Sequence, residues 1–174
     1  AMFTNDDQIA KKLKMIANHG QEFKYYHKIT GCNSRLDSIQ ASILNIKLNY
    51  LDDYCLARNE MARNYDTYFS KIPGIIIPKR QKNSTHVFHQ YTLKVNNLKR
   101  NKLKEYLLSH GIPSMVYYPI PLYKQEAFKK YVNKNFKINN IESLCQTVLS
   151  LPIHTEIENS KQEFIVNKVK DFFR

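Results

Sequence analysis

The stretch Gly31-Cys32-Asn33-Ser34-Arg35-Leu36-Asp37-Ser38-Ile39-Gln40-Ala41 leads from a polar loop into a long run with an apolar helical face. The amide of Asn33 can donate a hydrogen bond to a phosphate oxygen, and Arg35 can supply a forked cation two residues later. The residues alone leave a second interpretation open. Asn33 and Ser34 could cap the following helix while Arg35 pairs with Asp37 or with solvent.

The run that follows keeps apolar residues at helical spacing from Leu36 to Ile72, where Pro73-Gly74 ends the pattern. This predicts one long helix, straight or kinked. Such a helix is longer than a compact domain needs internally, so we expect it to connect two regions of the molecule.

Beyond Pro73 the pattern changes to short strands alternating with helices. The strand candidates are Gly74–Pro78, His86–Val95 and Ser114–Tyr118, and the helix candidates are Leu98–His110, Asn140–Leu149 and Asn159–Phe173. This order predicts a small α/β layer in which helices cover a short sheet.

Upstream of the opening stretch, one amphipathic helix is predicted from about Asp6 to Asn18, with Asn5 as its N-cap and Gly20 ending it. Residues 21–34 have no periodicity and are rich in hydrogen-bonding groups. We expect a loop there, of a composition that often carries a site.

Composition narrows the class of protein. No apolar run approaches the roughly 20 residues of a membrane span, and no signal peptide is visible. The three cysteines are scattered without metal-ligand spacing, so we expect a cytoplasmic protein without a metal site. The net charge of +12 is spread along the chain, which favours a lysine-rich solvated surface over a nucleic-acid site.

The opening stretch resembles the Gly-x-Asn-x-Arg segment followed by Gln-Ala in the DegT-like (DnrJ/StrS-type) nucleotide-sugar aminotransferases. Further matches follow in the family's order: Thr4-Asn5-Asp6, Asn18-His19-Gly20-Gln21, His89-Gln90-Tyr91, Tyr118-Pro119-Ile120-Pro121-Leu122 with Gln125, and Leu149-Ser150-Leu151-Pro152-Ile153-His154. The resemblance covers nearly the whole chain.

This resemblance implies the C-terminal portion of an α/β protein of the aspartate-aminotransferase-like fold, which is fold type I of the pyridoxal-phosphate (PLP) enzymes. Residues 1–34 would be a remnant of the large PLP-binding domain, 35–72 the connecting helix, and 73–174 the small C-terminal α/β domain. The family forms cytoplasmic homodimers with shared active sites. It transfers an amino group to a nucleotide-linked keto sugar, with glutamate as the expected donor.

The resemblance also implies roles for individual residues. Asn33 would bind the cofactor phosphate of the partner subunit, while Arg35, Tyr117, Tyr118 and His27 would contact the nucleotide-sugar. Many relatives have histidine where this chain has Tyr117 and Tyr123, which favours substrate contact over proton transfer at those positions. The strand-end groups His89, Gln90, Tyr91 and His154 are expected to serve interior packing and hydrogen bonding.

The lysine that binds PLP covalently in the family has no counterpart in this chain, so no catalytic residue is assigned. We expect the isolated chain neither to retain PLP nor to turn over substrate. The alternative function is a truncated, non-catalytic module for binding or oligomerisation. Nucleic-acid binding driven by charge is a third hypothesis, and it would show a steep dependence on salt.

Overall fold

The structure, a computed structural model, describes residues 2–133, 136 and 138–174. The contacts within the chain group into two units, Ala1–Tyr50 and Leu51–Arg174. This division falls inside the predicted connecting helix, and it differs from the boundaries at residues 34 and 72 that the sequence suggested. Within the described residues, no helix combines the length and the apolarity needed to cross a membrane.

The first unit contains two helices and a hairpin. Its elements are α1 (Asp7–Ala17), β1 (Gln21–Phe23), β2 (Tyr26–His27) and α2 (Ser38–Leu48). The N-cap of α1 is Asp6 rather than Asn5, because the Asp6 carboxylate accepts the backbone N–H groups of Gln8 and Ile9 at 2.8 and 3.0 Å. The antiparallel pair β1–β2 occupies part of the segment that was predicted to be a loop.

The predicted helix over 35–72 is interrupted. It consists of α2 and of α3 (Leu51–Phe69) in the second unit. At the break, the N–H of Asn49 donates to Ile46 O and the N–H of Tyr50 donates to Lys47 O, at 3.3 and 3.1 Å. Such i→i−3 bonds tighten the last turn of a helix and end it. Asparagine favours this ending because its short amide competes for backbone hydrogen bonds.

The second unit packs helices on a three-stranded antiparallel sheet in the order β3–β4–β5. Besides α3, its elements are β3 (Ile75–Ile76), β4 (Tyr91–Val95), α4 (Asn97–Ser109), α5 (Asn139–Thr147), β5 (Val148–Leu151) and α6 (Asn159–Phe173), with two short 3-10 helices over Leu122–Lys124 and Glu126–Tyr131. The third strand was predicted at Ser114–Tyr118, but that segment contributes only a bridge between Met115 and Ser150. The strand itself is β5, which begins where the predicted helix over Asn140–Leu149 was expected to finish.

A single hydrophobic core joins α3, the sheet, α4 and α6. Its fully buried members include Tyr65, Phe69, Tyr91, Leu93, Leu103, Leu107, Leu149, Val166 and Val169. The hydroxyl of Tyr65 donates to Pro152 O at 2.9 Å, and that of Tyr91 donates to the Asp66 carboxylate at 2.7 Å. Burial raises the pKa of both phenols. Helix α3 is therefore part of this domain's core and not only a connection to it.

The first unit has little interior of its own. Among its described residues, only Gly20 is buried, and the apolar side chains of α2 are exposed, as at Ile39, Ile43, Ile46 and Leu48. Burial of apolar side chains is the main source of domain stability. The second unit should therefore be the more stable one.

We expect hydrogen exchange to separate the two units. Backbone amides of β4, β5 and α6 should exchange about tenfold or more slowly than those of α1 and the β1–β2 hairpin, because the former open only with the buried core. Exchange rates measured residue by residue by NMR check this. Equal or stronger protection in residues 7–33 would contradict it.

Candidate functional site

The loop over residues 28–35 is held against the C-terminal end of α1 by backbone hydrogen bonds. Cys32 N–H donates to Ile16 O at 2.8 Å, Ser34 N–H donates to Ala17 O at 2.9 Å, and His19 N–H donates to Cys32 O at 3.0 Å. The same contact places Asn33 opposite Asn18 as an isolated β-bridge. The backbone under Asn33 and Arg35 is thereby fixed.

Two glycines make this close approach possible. A Cβ on Gly31 would collide with the backbone N of Gly20 and would lie 2.6 Å from Ile16 O, both of which are backbone atoms that cannot move aside. Gly20 has φ +77°, and a Cβ there would collide with Ile29 O. Any larger residue at either position would push the loop away from α1.

The guanidinium of Arg35 is anchored through two of its three nitrogens. Its Nε donates to Oδ1 of Asn33 at 3.0 Å, and its Nη1 lies 3.4 Å from Oδ1 of Asn18. Neither the Asn33 amide nitrogen nor Nη2 of Arg35 has a hydrogen-bond partner among the residues that the structure describes. Both side chains are exposed. Their unused N–H groups form a small donor cluster that fits an anionic group such as a phosphate.

This geometry excludes two parts of the alternative interpretation of the opening stretch, namely capping of α2 by Asn33 or Ser34 and pairing of Arg35 with Asp37. The N-cap of α2 is Asp37, whose carboxylate accepts from Gln40 N–H at 2.8 Å, so neither Asn33 nor Ser34 caps the helix. The contacts of Arg35 are with Asn33 and Asn18 and not with Asp37. Asn33 and Arg35 are thus available for binding.

His27 lies at the end of β2, exposed and within the same unit. Its Nδ1 is 2.8 Å from the carbonyl oxygen of His19. Because a carbonyl only accepts, Nδ1 carries the proton in this contact, which leaves Nε2 of the neutral ring as an acceptor. The contact joins His27 to the residue next to Asn18.

Tyr117 and Tyr118 lie in the second unit and form an edge-to-face pair with ring centroids 5.9 Å apart. Their exposed fractions are 38% and 73%. The other tyrosine noted in the sequence, Tyr123, donates its hydroxyl to the Glu142 carboxylate at 2.8 Å. Burial and this hydrogen bond raise the pKa of Tyr123. Of these three tyrosines, only Tyr123 has its hydroxyl hydrogen-bonded among the described residues.

Residues 1–170 match the model of the DegT/DnrJ/EryC1/StrS aminotransferase family. The chain belongs to this family. The match covers both units, which explains why the sequence motifs occur in one order along the whole chain.

The relatives support this assignment. The chain is 38% identical over 175 residues to a pleiotropic regulatory protein of Geobacillus stearothermophilus, covering 99% of this chain. It is 36% identical over 172 residues to dTDP-3-amino-3,6-dideoxy-alpha-D-galactopyranose transaminase of Aneurinibacillus thermoaerophilus, again covering 99% of this chain. The chain spans 46% of the length of each of these two relatives.

The fold agrees as well. The crystal structure of S. venezuelae DesV in complex with a ketimine intermediate is 30% identical, with a TM-score of 0.89. The match covers 98% of this chain and 46% of that one. The fold is therefore that of a DegT-family, fold type I aminotransferase.

Asn33 and Arg35 were predicted from the sequence, but the contact of Arg35 with Asn18, the C-cap residue of α1, was not. The available signal was the pair Gly20 and Gly31, because two glycines flanking a polar loop indicate close backbone approach. Among the described residues, no cluster of three or more histidine, cysteine, aspartate or glutamate side chains could hold a metal ion.

A second polar cluster ties the hairpin to α1. The carboxylate of Glu22 in β1 pairs with Lys11 of α1, and at 2.9 Å with Lys28. Hydrogen bonds from Lys11 and then Lys28 lower the pKa of Glu22 from 4.5 to about 2, against a smaller opposing effect of desolvation. Glu22 thus stays ionised at neutral pH. We call its ion pairs with Lys11 and Lys28, which tie the hairpin and the start of the loop over residues 28–35 to α1, the Glu22 clamp.

We expect this clamp to weaken only in acid. Because the folded-state pKa of Glu22 lies below its unfolded value, the stabilisation is complete above about pH 4.5 and is lost as the pH falls towards about 2. Glu22→Gln should remove this acid-dependent step and speed amide exchange in residues 21–34 at neutral pH. Carboxyl titration and exchange by NMR measure both effects.

The matched control is Glu126→Gln, since Glu126 is exposed and lies 3.9 Å from Lys129 in the second unit. That change should leave residues 21–34 untouched. A Glu22 carboxyl whose pKa is not lowered would contradict the assignment of the clamp. Equal effects of Glu22→Gln and Glu126→Gln on amide exchange in residues 21–34 would contradict it as well.

Proposed function

We propose that this chain forms part of a PLP-dependent enzyme that transfers an amino group, with glutamate as donor, to a keto sugar linked to a nucleotide. The family and the transaminase among its relatives support this reaction class. The observation that carries the proposal is the exposed donor pair Asn33 and Arg35, fixed to α1 by the Gly20–Gly31 contact.

The two members of the pair have different tasks. The Asn33 amide nitrogen donates to the cofactor phosphate, in trans, at the active site of the partner subunit. Arg35 uses its free Nη2 edge on the nucleotide-sugar, where a planar cation suits a diphosphate. With Nε already bonded to Asn33, the guanidinium needs little ordering when the substrate binds.

His27, Tyr117 and Tyr118 contact the nucleotide-sugar through their hydrogen-bonding groups. The acceptor Nε2 of His27 suits a sugar hydroxyl, and a phenol such as that of Tyr117 can donate to or accept from one. In this proposal the tyrosines orient the substrate.

The bound cofactor supplies the chemistry that carries an amino group from donor to acceptor. Covalent attachment of the cofactor needs a tuned lysine, and no lysine of this chain occupies the family's position for it. We therefore propose that this lysine lies outside the 174 residues, and that the chain alone neither retains PLP nor turns over substrate.

A second candidate function is a non-catalytic assembly module. The exposed apolar residues of α2 favour it, since Ile39 and Ile46 are 75% and 64% exposed. The homodimer with shared active sites that we propose for the whole enzyme would use this kind of surface. The two candidates differ in whether a lysine-containing form is active.

Two substitutions in the lysine-containing enzyme separate the roles of the donor pair. Asn33→Ala should weaken cofactor retention by about 1.5 to 3 kcal/mol, the worth of a shielded hydrogen bond to a charged group. Arg35→Ala should raise the KM for the nucleotide-sugar more than that for the amino donor. Spectroscopic titration of the cofactor and steady-state kinetics measure these effects. Unchanged values for both variants would contradict the proposed site.

Mixed dimers test whether Asn33 acts in trans. One dimer combines an Asn33→Ala subunit with a subunit that lacks the cofactor-binding lysine but keeps Asn33. If donation is in trans, the only lysine-containing site of this dimer receives a wild-type Asn33 from its partner, so the dimer should be active. The matched control combines a wild-type subunit with one that carries Asn33→Ala and also lacks the cofactor-binding lysine, and that dimer should be impaired. The reverse pattern would mean that Asn33 serves its own subunit.

Self-association of the chain should depend on the apolar surface of α2. Ile43→Glu should shift the equilibrium measured by sedimentation towards monomer, because it places a charge amid exposed isoleucine and leucine side chains. Leu98→Glu, at a residue 79% exposed on α4, is the control and should have no effect. A wild-type chain that stays monomeric at high concentration would rule out this surface as an interface.

A further inference from the structure

The second unit contains a polar cavity of about 200 Å³ that the proposed function does not use. Helix α3 forms one wall, which includes Glu60 and Asn64. The segment between β5 and α6 forms the other wall together with the start of α6, and it includes His154, Thr155 and Asn159. We call this space the α3–α6 cavity.

The buried side chain of Gln162 holds the two walls together. Gln162 on α6 is 5% exposed, and its amide nitrogen donates to Met61 O at 2.7 Å. Its amide oxygen accepts from Nδ2 of Asn64 at 3.3 Å. Both partners lie on α3, so the spacing of the two helices at the cavity is fixed. The α3–α6 cavity is therefore preformed.

The α3 wall presents hydrogen-bond acceptors. The carboxylate of Glu60 has no ion pair or hydrogen bond among the residues that the structure describes. Asn64 uses its nitrogen on Gln162, which leaves its carbonyl oxygen as the open acceptor. Residues four apart on a helix are neighbours on one face. A carboxylate next to a carbonyl oxygen suits an ammonium group.

The other wall presents hydrogen-bond donors. Nδ1 of His154 accepts the backbone N–H of Glu156 at 3.2 Å, so Nε2 carries the proton of the neutral ring. The hydroxyl of Thr155 and the side-chain amide of Asn159 have no hydrogen-bond partner within the described part of the chain. No acidic residue is among the described lining residues of this wall. Such a wall suits a carboxylate.

The accessibility of His154 corrects an expectation from the sequence. His154 was expected to serve interior packing, but it is exposed. His89 and Gln90, for which the same was expected, are exposed and half-buried, so the expectation is wrong for all three. His89 and Gln90 line a different cavity of the second unit, together with Ser114, and that cavity has no charged residue among its described lining residues.

We propose that the α3–α6 cavity binds a small neutral amino acid, such as glycine, alanine or serine, in its zwitterionic form. The ammonium group lies at Glu60 and at Oδ1 of Asn64, and the carboxylate lies at Nε2 of His154 and at the amide of Asn159. At about 30 Å³ per water molecule, the cavity holds roughly six of them, which corresponds to a ligand of about six or seven non-hydrogen atoms.

This site goes beyond the proposed function. It belongs to the second unit, whereas the donor pair Asn33 and Arg35 belongs to the first. Glutamate, the proposed amino donor, carries a second carboxylate for which the α3 wall offers only acceptors. The ligand of the α3–α6 cavity is therefore an amino acid other than the donor.

Analogues of alanine that lack one charge test the site directly. L-Alanine, titrated into the 174-residue chain and followed by NMR, should give saturable shifts of the side-chain amides of Asn64, Asn159 and Gln162. L-Alaninamide lacks the carboxylate, and N-acetyl-L-alanine lacks the ammonium group. Each should bind about tenfold more weakly or worse, because each loses a hydrogen bond to a charged group.

Two substitutions address the two walls. Glu60→Gln should weaken L-alanine binding about tenfold, because it removes the partner of the ammonium group. Asn159→Asp should abolish binding by placing a negative charge where the ligand carboxylate lies. The variant should still fold, since an acidic residue is favourable in the first turn of a helix. Glu105→Gln, at an exposed residue of α4 outside the cavity, is the matched control and should bind L-alanine as the wild type does.

Several results would overturn the proposal. Shifts that do not saturate would do so, as would equal affinity for L-alanine, L-alaninamide and N-acetyl-L-alanine. Binding of L-alanine that Glu60→Gln leaves unchanged, or L-glutamate bound as tightly as L-alanine, would also overturn it.

The amino-acid site and the proposed reaction fail separately. Amino transfer by a lysine-containing form, without saturable alanine shifts in the chain, would overturn the amino-acid site alone. Saturable alanine binding that Glu60→Gln weakens would support the site even if no amino transfer were found.

Discussion

The close approach of Gly20 and Gly31 is the constraint on which the donor site depends. Only hydrogen atoms fit between these backbones, so the loop over residues 28–35 can form its hydrogen bonds to the end of α1. Those bonds place Asn33 opposite Asn18, and both amides then hold the Arg35 guanidinium. A guanidinium that is held through Nε and Nη1 keeps Nη2 free in a defined position. Backbone packing thus determines which donors stay open to a ligand.

Different interactions stabilise the two units. The second has a continuous core, with Tyr65 and Tyr91 inside it and their hydroxyls bonded to Pro152 O and Asp66. In the described part of the first unit, order depends on backbone hydrogen bonds, the Asp6 and Asp37 caps and the Glu22 clamp, because little apolar surface is buried. Single polar substitutions should therefore disturb the first unit, whereas substitutions on the surface of the second unit should leave its core intact.

The sequence predicted those features that local chemistry determines. Periodicity and glycine or proline stops predicted helices α1, α4 and α6, and also the end of α3 near Phe69. Strand β5 was missed because Val148–Leu151 continues the apolar pattern of α5, and only pairing with β4 decides its conformation. The contact between Asn18 and Arg35 was missed for the same reason, since 17 residues separate them. The periodicity of one segment does not indicate which distant segment pairs with it.

The chemistry of the unused hydrogen-bonding groups differs between the two units. In the first unit the free donors belong to Asn33 and Arg35, both of which are exposed, and Arg35 carries a positive charge. In the second they belong to Ser114 and Gln90, in a cavity without charged lining among its described residues. A charged ligand group loses least hydration at an exposed site, whereas a cavity without charged lining favours an uncharged group. The exposed charged loop and the uncharged cavity therefore suit ligand groups of different polarity.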